Sequence, residues 1–210
     1  MNTNEAVAPT PFILKASILD KASELFIFTR QSDLEDFFTS KYDAEDDDDD
    51  ESIAHVREWI VQRYVDKPKL LPAYGNRKFH LRVYVVAEGN LRVHVYDGIL
   101  ALFASLAYER ERPSYDRLRH ITNTCAQTDS SFKEDDLVKE FFSLDGITET
   151  LRAKVFEQIK SIVAEIFTGL HSEMTIFQPL KNAFEIYGFD FLLDEKIGRA
   201  SCRERVCSTV

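Results

Sequence analysis

Two runs of alternating apolar residues in the middle of the chain predict a β-hairpin. Residues 77–98, RKFHLRVYVVAEGNLRVHVYDG, place apolar side chains at every second position on both sides of the short turn EGN. This pattern is typical of two paired strands with one buried face. The first strand is unusual because Lys78, His80 and Arg82 share one face. A solvated sheet face explains these cations most simply. The alternative is a face that binds a polyanion such as a nucleotide phosphate.

Further strands are predicted on either side of this hairpin. Short strands are expected in FILK and LFIFT within residues 11–29, in EWIVQRYVDKP before Pro68, and in FEIYGFDFLLDE near the end of the chain. Residues 100–108, LALFASLAY, form an apolar run without alternation, and we predict a short turn or helix there.

The clearest helix is predicted between Thr148 and Glu173. Apolar residues recur there at steps of three and four residues over about five turns, which is typical of an amphipathic helix. Weaker helical patterns lie in SDLEDFF, which begins at Ser32, and in FKEDDLVKEFF. Strands before and after helices, without regular β-α-β alternation, predict an α+β fold.

The pattern also predicts the domain organisation. Residues 1–10 are expected to be a disordered N-terminus, and residues 11–196 one domain. The like-charge block 43–51, DAEDDDDDE, is expected to be a disordered loop within that domain.

The last segment, residues 197–210, has no periodicity. Its sequence, IGRASCRERVCSTV, matches the conceptual translation of a sequencing-library adaptor. We therefore predict that it is not native, that it is irregular and that it packs on nothing. Cys202 and Cys207 are then set aside, and Cys125 is the remaining cysteine. Neither a disulfide framework nor a cysteine metal site is expected.

Charge and hydropathy exclude several classes of function. Without the three Arg and one Glu of residues 197–210, 23 basic and 35 acidic residues remain, a net charge of −12. So acidic a chain is a poor candidate for direct nucleic-acid binding. No apolar run approaches the roughly 18 residues of a membrane helix, and residues 1–11 lack a signal-peptide pattern. A cytoplasmic protein is expected.

Asp190 is the most informative carboxylate of the sequence. It lies between two Phe in the apolar strand YGFDFLL, where an unpaired charge would cost several kcal/mol of desolvation. The residue therefore needs a cation. Mg²⁺ fits, since it often takes one or two protein carboxylates and completes its coordination with phosphates and water. A buried ion pair fits equally well.

Two polar segments could contact a nucleotide. HITNTC, from His120, offers donors for phosphate or ribose oxygens, although a turn or a helix cap explains it equally well. Gln62, Arg63 and Tyr64 interrupt an apolar strand and could present backbone edges to a base.

These segments together resemble a known family. The order VQRYVDKPKLL, RKFHLRVYVV, LRVHVYDGILALFAS, HITNTCAQ and FQPLKNAFEIYGFDFLLDE is similar to the tubulin-tyrosine ligase family of ATP-grasp ligases, and to its fungal, P-body-associated branch in particular. The resemblance runs from about Pro11 to Lys196. It implies an ATP-grasp-like mixed or antiparallel sheet with packed helices, incomplete at both ends.

The resemblance also implies an activity. Members of the family use ATP and Mg²⁺ to activate a carboxylate as an acyl-phosphate, which an amine then attacks. The implied function is ligation of a free amino acid to a tubulin-like protein tail, with P-body components as further partners.

Site residues are implied position by position. Lys15 matches a lysine of the first phosphate-facing strand, and Lys78 and Arg82 match the basic pair that holds phosphates and the acceptor carboxylate. Asp190 matches the first magnesium carboxylate. The remaining matches line the nucleotide: Gln62, Arg63, Tyr64 and Val65 along the adenine, and His120, Ile121, Thr122 and Asn123 beside it.

Several positions depart from the family pattern. Ala22 and Glu24 stand where phosphate-covering glycines are expected, His80 replaces an Asp, and Leu102 replaces a substrate-binding Arg of many members. The Glu-x-Asn magnesium motif that should follow Asp190 is missing. The parent protein is expected to be a ligase, as the resemblance implies. This fragment, which lacks the motif, is expected to be inactive. A catalytically dead interaction module and a small-molecule ATP-grasp ligase are the alternatives.

Overall fold

The computed structural model describes residues 10–16, 25–42, 58–110, 116–127, 133–171, 180–196 and 200–203. The chain divides into two compact units, Met1–Asp66 and Lys67–Val210. The predictions for the N-terminal residues 1–9, for the acidic block 43–51 and for Ala22 and Glu24 lie outside the described residues.

The first unit contains a three-stranded antiparallel sheet. Its strands are β1 (Phe12–Ala16), β2 (Leu25–Phe28) and β3 (Trp59–Arg63), in the order β2-β1-β3, and one helix follows β2, α1 (Gln31–Tyr42). Aromatic rings join the helix to the sheet. The centroid of the Phe37 ring lies 4.6 Å from that of Phe26 and 5.9 Å from that of Trp59. The predicted strands and helix of this region are confirmed.

The second unit is built on a larger antiparallel sheet. Its strands are β4 (Arg77–Glu88), β5 (Arg92–Val95), β6 (Leu100–Ala107), β7 (Val138–Glu140), β8 (Phe184–Leu193) and β9 (Ala200–Arg203). The order is β7-β6-β4-β8-β9, and β5 pairs with β4. Helices α2 (Arg117–His120) and α3 (Glu134–Leu137) are single turns, whereas α4 spans Glu149–Leu170.

The predicted hairpin is confirmed and its first strand lies at the centre of this sheet. β4 pairs with β5, β6 and β8. The turn to β5 places Gly89 and Leu91 at φ of 55° and 63°, a left-handed conformation that glycine adopts without strain. The strands of this unit therefore bring residues that are far apart in sequence onto neighbouring positions.

Helix α4, which confirms the predicted helix, covers the core face of the sheet. The Thr148 side chain caps its N-terminus by accepting a hydrogen bond from the Leu151 amide at 3.3 Å. Its buried face, Val155, Ile159, Val163 and Phe167, packs in one cluster with alternate residues of β4 and β8. Every second residue of the strands and one face of the helix therefore pack into a single core.

Two predictions of secondary structure are wrong. Leu100–Ala107 is the strand β6, not a turn or helix, because it pairs with β4 on one side and with β7 on the other. Only Glu134–Leu137 of FKEDDLVKEFF forms a helix, and the next three residues form β7 at the sheet edge.

The prediction of an irregular C-terminal segment is also wrong for part of it. Ala200–Arg203 forms β9 and pairs with β8 in the register Asp190↔Arg203 to Leu193↔Ala200. An unpaired strand edge offers hydrogen bonds to any extended chain, which accounts for the pairing. The adaptor origin of residues 197–210 stays a prediction.

Among the described residues, no helix is both long and apolar enough to cross a lipid bilayer.

Candidate functional site

Alternate residues of β4 form a polar row on the face opposite the core. Phe79, Leu81 and Val83 point into the core, so Lys78, His80 and Arg82 project from the other face. Lys78 is only 3% exposed and His80 only 1%. The interpretation of this face as solvated is therefore wrong for these two residues.

Arg82 and Asp190 form a bidentate ion pair across two neighbouring strands. The register of β4 and β8 places the two residues opposite each other. Arg82 donates from Nε to Oδ1 of Asp190 at 2.5 Å and from Nη2 to Oδ2 at 3.2 Å. Asp190 is buried, while a quarter of the Arg82 side chain is exposed. Arg82 therefore supplies the cation that Asp190 was predicted to need.

A glycine next to this pair leaves room for the guanidinium. A Cβ atom on Gly188 would lie 3.3 Å from Nη1 and 3.6 Å from Cδ of Arg82. The first distance is tighter than an ordinary van der Waals contact, so any side chain at this position would displace the arginine.

His80 links Asp190 to a different part of the chain. Its Nδ1 lies 2.6 Å from Oγ1 of Thr122, and its Nε2 lies 3.5 Å from Oδ1 of Asp190. Thr122, His80 and Asp190 are all buried. Contacts of this kind in a low-dielectric interior are stronger than in water. They fix the carboxylate between an imidazole and a guanidinium.

This environment sets the pKa of Asp190. Burial alone raises the pKa of a carboxyl group, but the hydrogen bonds and charges of His80 and Arg82 outweigh it and lower the pKa of Asp190 to about 2. Asp190 is therefore a carboxylate at any physiological pH.

The shift predicts a specific loss of stability in acid. The pKa of Asp190 in the folded state lies below its unfolded value. The stabilisation of the folded state by Asp190 is therefore complete above about pH 4 and is lost as the pH falls through about 2. Roughly 2 kcal/mol of the free energy of unfolding is at stake. Urea titrations of Asp190→Asn between pH 2 and 6 should show a shallower acid limb than the unaltered chain. The exposed Asp145→Asn serves as control, and equal slopes for all three proteins would contradict the assignment.

The polar segment after α2 lies against the same row. Asp116 caps α2 by accepting a hydrogen bond from the Leu118 amide at 2.9 Å, and the chain then runs through the buried His120, Ile121 and Thr122. The Tyr108 ring meets the His120 ring edge-on with centroids 5.2 Å apart. The structure therefore brings together Thr122 with His80 and Asp190, from three separate segments.

Gln127 holds this segment in place and was missed by the sequence analysis. Its Nε2 donates to the Ile121 carbonyl at 2.6 Å, and its Oε1 accepts from the Ser105 amide at 2.9 Å. The side chain is buried. It connects the segment to Ser105, a residue of β6 that lies past the three residues paired with β7. A single Gln in a polar stretch carries no sequence signal for such a bridge.

Two predicted residues of the first unit lie together. Lys15 on β1 donates from Nζ to Oε1 of Gln62 on β3 at 2.5 Å. Tyr64 is buried, and its amide donates to the Pro11 carbonyl at 3.0 Å, whereas Arg63 is exposed and Val65 partly buried. The roles implied for these residues toward a nucleotide stay predictions.

The donor set limits how a magnesium ion could be held. Both oxygens of Asp190 are bound by Arg82, and no group of three or more His, Cys, Asp or Glu side chains among the described residues could hold a metal. The residues present do not fit an ion held by the protein alone. They fit an ion that brings its other oxygen ligands with a bound phosphate, with Asp190 as the one protein carboxylate.

The fold is similar to that of a solved ATP-grasp protein. The chain aligns with the crystal structure of the C-terminal domain of Kluyveromyces lactis Pby1, described as an ATP-grasp enzyme that interacts with the mRNA decapping enzyme Dcp2. The alignment has a TM-score of 0.61 and 32% identity, and it covers 93% of this chain and 50% of that one. The second unit and its sheet are therefore part of an ATP-grasp fold.

Sequence comparison gives the family. The model of the tubulin-tyrosine ligase family matches residues 1–198, and the chain belongs to that family. It is 37% identical to the probable tubulin–tyrosine ligase PBY1 of Saccharomyces cerevisiae, over 87% of this chain and 28% of the relative. A probable tubulin–tyrosine ligase of Schizosaccharomyces pombe is 33% identical, over 87% of this chain and 48% of the relative. The chain thus spans less than half the length of these curated relatives.

Proposed function

We propose that the protein of which this chain is part is an ATP- and Mg²⁺-dependent ligase. It would attach a free amino acid to a tubulin-like protein tail through an acyl-phosphate, in the cytoplasm. The carrying observation is the cluster in which Arg82, His80 and Thr122 fix the buried carboxylate of Asp190, inside a fold of the tubulin-tyrosine ligase family.

The reaction needs two displacements. A carboxylate oxygen attacks the γ-phosphorus of ATP, the bond to the bridging oxygen breaks, and ADP leaves. An amine then attacks the acyl carbon, inorganic phosphate departs with the carboxyl oxygen, and the nitrogen loses a proton to give the amide. In both steps negative charge lies on oxygens of the phosphoryl group in the transition state. Fixed cations stabilise that charge and so accelerate both steps.

The described residues support this chemistry through charge. Lys78 and Arg82 lie four positions apart on one face of β4, and Arg82 pairs with the carboxylate of Asp190. Cationic side chains on one strand face attract the anionic phosphates of a nucleotide. In the proposed complex Arg82 and Lys78 hold phosphate and carboxylate oxygens, and Asp190 supplies an oxygen to the Mg²⁺ that arrives with ATP.

The remaining matches to the family are proposed to contact the nucleotide. Gln62, Arg63, Tyr64 and Val65 are proposed to follow the adenine, Lys15 to face the phosphates, and the segment His120, Ile121, Thr122 and Asn123 to lie beside the sugar. The contact between Thr122 and His80 supports the last assignment, because it ties that segment to the cationic strand.

Replacing Lys78 tests the anion site. Lys78→Ala should weaken Mg-ATP binding by about 1.5–3 kcal/mol, or roughly 10- to 150-fold, since a charge-assisted contact is lost. Calorimetric titration with Mg-ATP measures the change. Lys181→Ala is the matched control, because Lys181 is an exposed lysine of the same unit. An unchanged dissociation constant for Lys78→Ala would remove this residue from the site.

An interaction module without catalysis is the second candidate. It is favoured by the Kluyveromyces lactis relative, which interacts with the mRNA decapping enzyme Dcp2, and P-body components are then the proposed partners. Mg-ATP titration separates the two proposals. A protein that binds its partner and shows no Mg-ATP binding belongs to the second class.

A further inference from the structure

The side chain of Gln127 makes two hydrogen bonds to backbone groups of different elements. Its Nε2 donates to the Ile121 carbonyl at 2.6 Å, and its Oε1 accepts from the Ser105 amide at 2.9 Å. These partners fix the orientation of the carboxamide, since a carbonyl needs a donor and an amide N–H needs an acceptor. The side chain is 3% exposed. A carboxamide supplies a donor and an acceptor without a charge, so one buried glutamine satisfies both backbone groups.

The bridge anchors the segment after α2 to the large sheet. Ser105 lies in β6, and Phe103 and Ala107 on either side of it pair with β4. At the other end of the bridge, the carbonyl of Ile121 belongs to the same rigid peptide plane as the amide of Thr122. The hydrogen bond from Gln127 therefore fixes the peptide unit that leads directly into Thr122.

Thr122 transmits this constraint to the carboxylate of Asp190. Its Oγ1 lies 2.6 Å from Nδ1 of His80, and Nε2 of the same ring lies 3.5 Å from Oδ1 of Asp190. The carboxylate favours a proton on Nε2, and Nδ1 of the neutral ring then accepts from the hydroxyl of Thr122. All three side chains are buried. The position of Thr122 therefore sets how the imidazole ring meets Asp190.

We propose that Gln127 is a positioning residue of the ligase site. It acts through Thr122 and His80 on the carboxylate of Asp190, by holding the peptide unit between Ile121 and Thr122. Its effect on Mg-ATP rests on the ligase proposal, in which Asp190 gives an oxygen to Mg²⁺. The row of contacts from Gln127 to Asp190 exists without nucleotide and is tested without it.

The imidazole of His80 reports the positioning in the absence of nucleotide. Nitrogen-15 NMR of the 210-residue chain with labelled histidine, at constant pH, gives ring signals for the five histidines, and His80→Gln assigns those of residue 80. Gln127→Met keeps the length of the side chain and removes both hydrogen bonds. The Nδ1 signal of His80 should then shift in the direction seen in Thr122→Val, which removes the hydroxyl itself.

A core variant separates positioning from a general loss of stability. Ile159→Ala leaves a cavity under α4, in the core cluster on the other face of the sheet. It should lower the stability of the chain and leave the ring signals of His80 unchanged. Circular dichroism confirms that each variant is folded.

Mg-ATP affinity tests the consequence for the ligase site. By calorimetric titration, Gln127→Met and Thr122→Val should each weaken binding at least about tenfold, because small displacements of ligand groups are costly. Since Gln127 acts through Thr122, the double variant should bind within about twofold of the weaker single variant, whereas independent contributions would multiply. Ile159→Ala should stay within about twofold of the unaltered chain, as expected for a site it does not touch.

Two results would overturn the proposal. The first is a folded Gln127→Met with unchanged ring signals of His80, and the second is a double variant in which the two losses of affinity multiply. If Gln127→Met does not fold, Gln127→Asn replaces it, because its carboxamide is one methylene too short to reach both backbone groups. Shifted His80 signals in a chain that shows no Mg-ATP binding would contradict only the ligase proposal.

Discussion

Asp190→Asn is expected to abolish measurable Mg-ATP binding and to leave the sheet folded. The amide has the size of the carboxyl group, and its oxygen can still accept a hydrogen bond from Arg82. It has no charge, however, so the Mg²⁺ proposed to arrive with ATP would lose the carboxylate proposed to bind it. A loss of roughly 3 kcal/mol, or about 150-fold in the dissociation constant, follows from the removal of a charged contact.

The fold should survive this substitution with reduced stability. Arg82 keeps access to water because part of its side chain is exposed, so its charge is not left buried. A decrease of about 2 kcal/mol in the free energy of unfolding is expected, the amount inferred from the lowered pKa. Calorimetric titration and urea unfolding are measured on the same samples, with Asp145→Asn as control. Unchanged Mg-ATP affinity in Asp190→Asn would reject the proposed role of this carboxylate.

The sequence was most informative where one periodicity dominates a segment. Residues 77–98 alternate strictly about a glycine turn, and α4 repeats its apolar residues every three or four positions, so both elements could be predicted. The need of Asp190 for a cation could also be predicted, because desolvation of a carboxylate depends little on the details of a fold. The structure supplies that cation from β4, 108 residues earlier.

The strand β6 could not be predicted for a physical reason. Ala101 and Phe103 are buried on one face, Ala104 is buried on the other, and Leu102 is half-buried. A strand covered on both faces shows no alternation of polar and apolar residues, and its sequence resembles that of a short buried helix. Only the neighbouring strands, β4 and β7, decide between the two.

The contacts around Asp190 needed the tertiary structure as well. His80 and Thr122 are 42 residues apart, and their contact depends on how the segment after α2 returns to β4. Gln127 fixes that return through two backbone groups on different elements. Neither relation has a local sequence pattern, since both are set by the packing of a loop on a sheet.

Phe103→Ala is expected to be the most destabilising of the proposed substitutions. The ring is fully buried on β6, with its centroid 5.2 Å from that of Tyr74 and 5.1 Å from that of Phe79. The guanidinium carbon of Arg77 lies 5.2 Å from the same centroid, a cation–π contact. Truncation therefore removes a large apolar surface and leaves a cavity under an arginine. The free energy of unfolding should fall by about 3–5 kcal/mol.

Leu102, the neighbouring residue, provides the control, because in a strand it must lie on the face opposite that of Phe103. Leu102 points to the other face, opposite His80, and is only half-buried, so Leu102→Ala should cost about 1–2 kcal/mol. Urea unfolding followed by circular dichroism compares the two variants. Period two requires a large effect at position 103 and a small one at 102. Equal losses, or a loss below about 1.5 kcal/mol for Phe103→Ala, would contradict the assignment of residues 100–107 as a strand against this core.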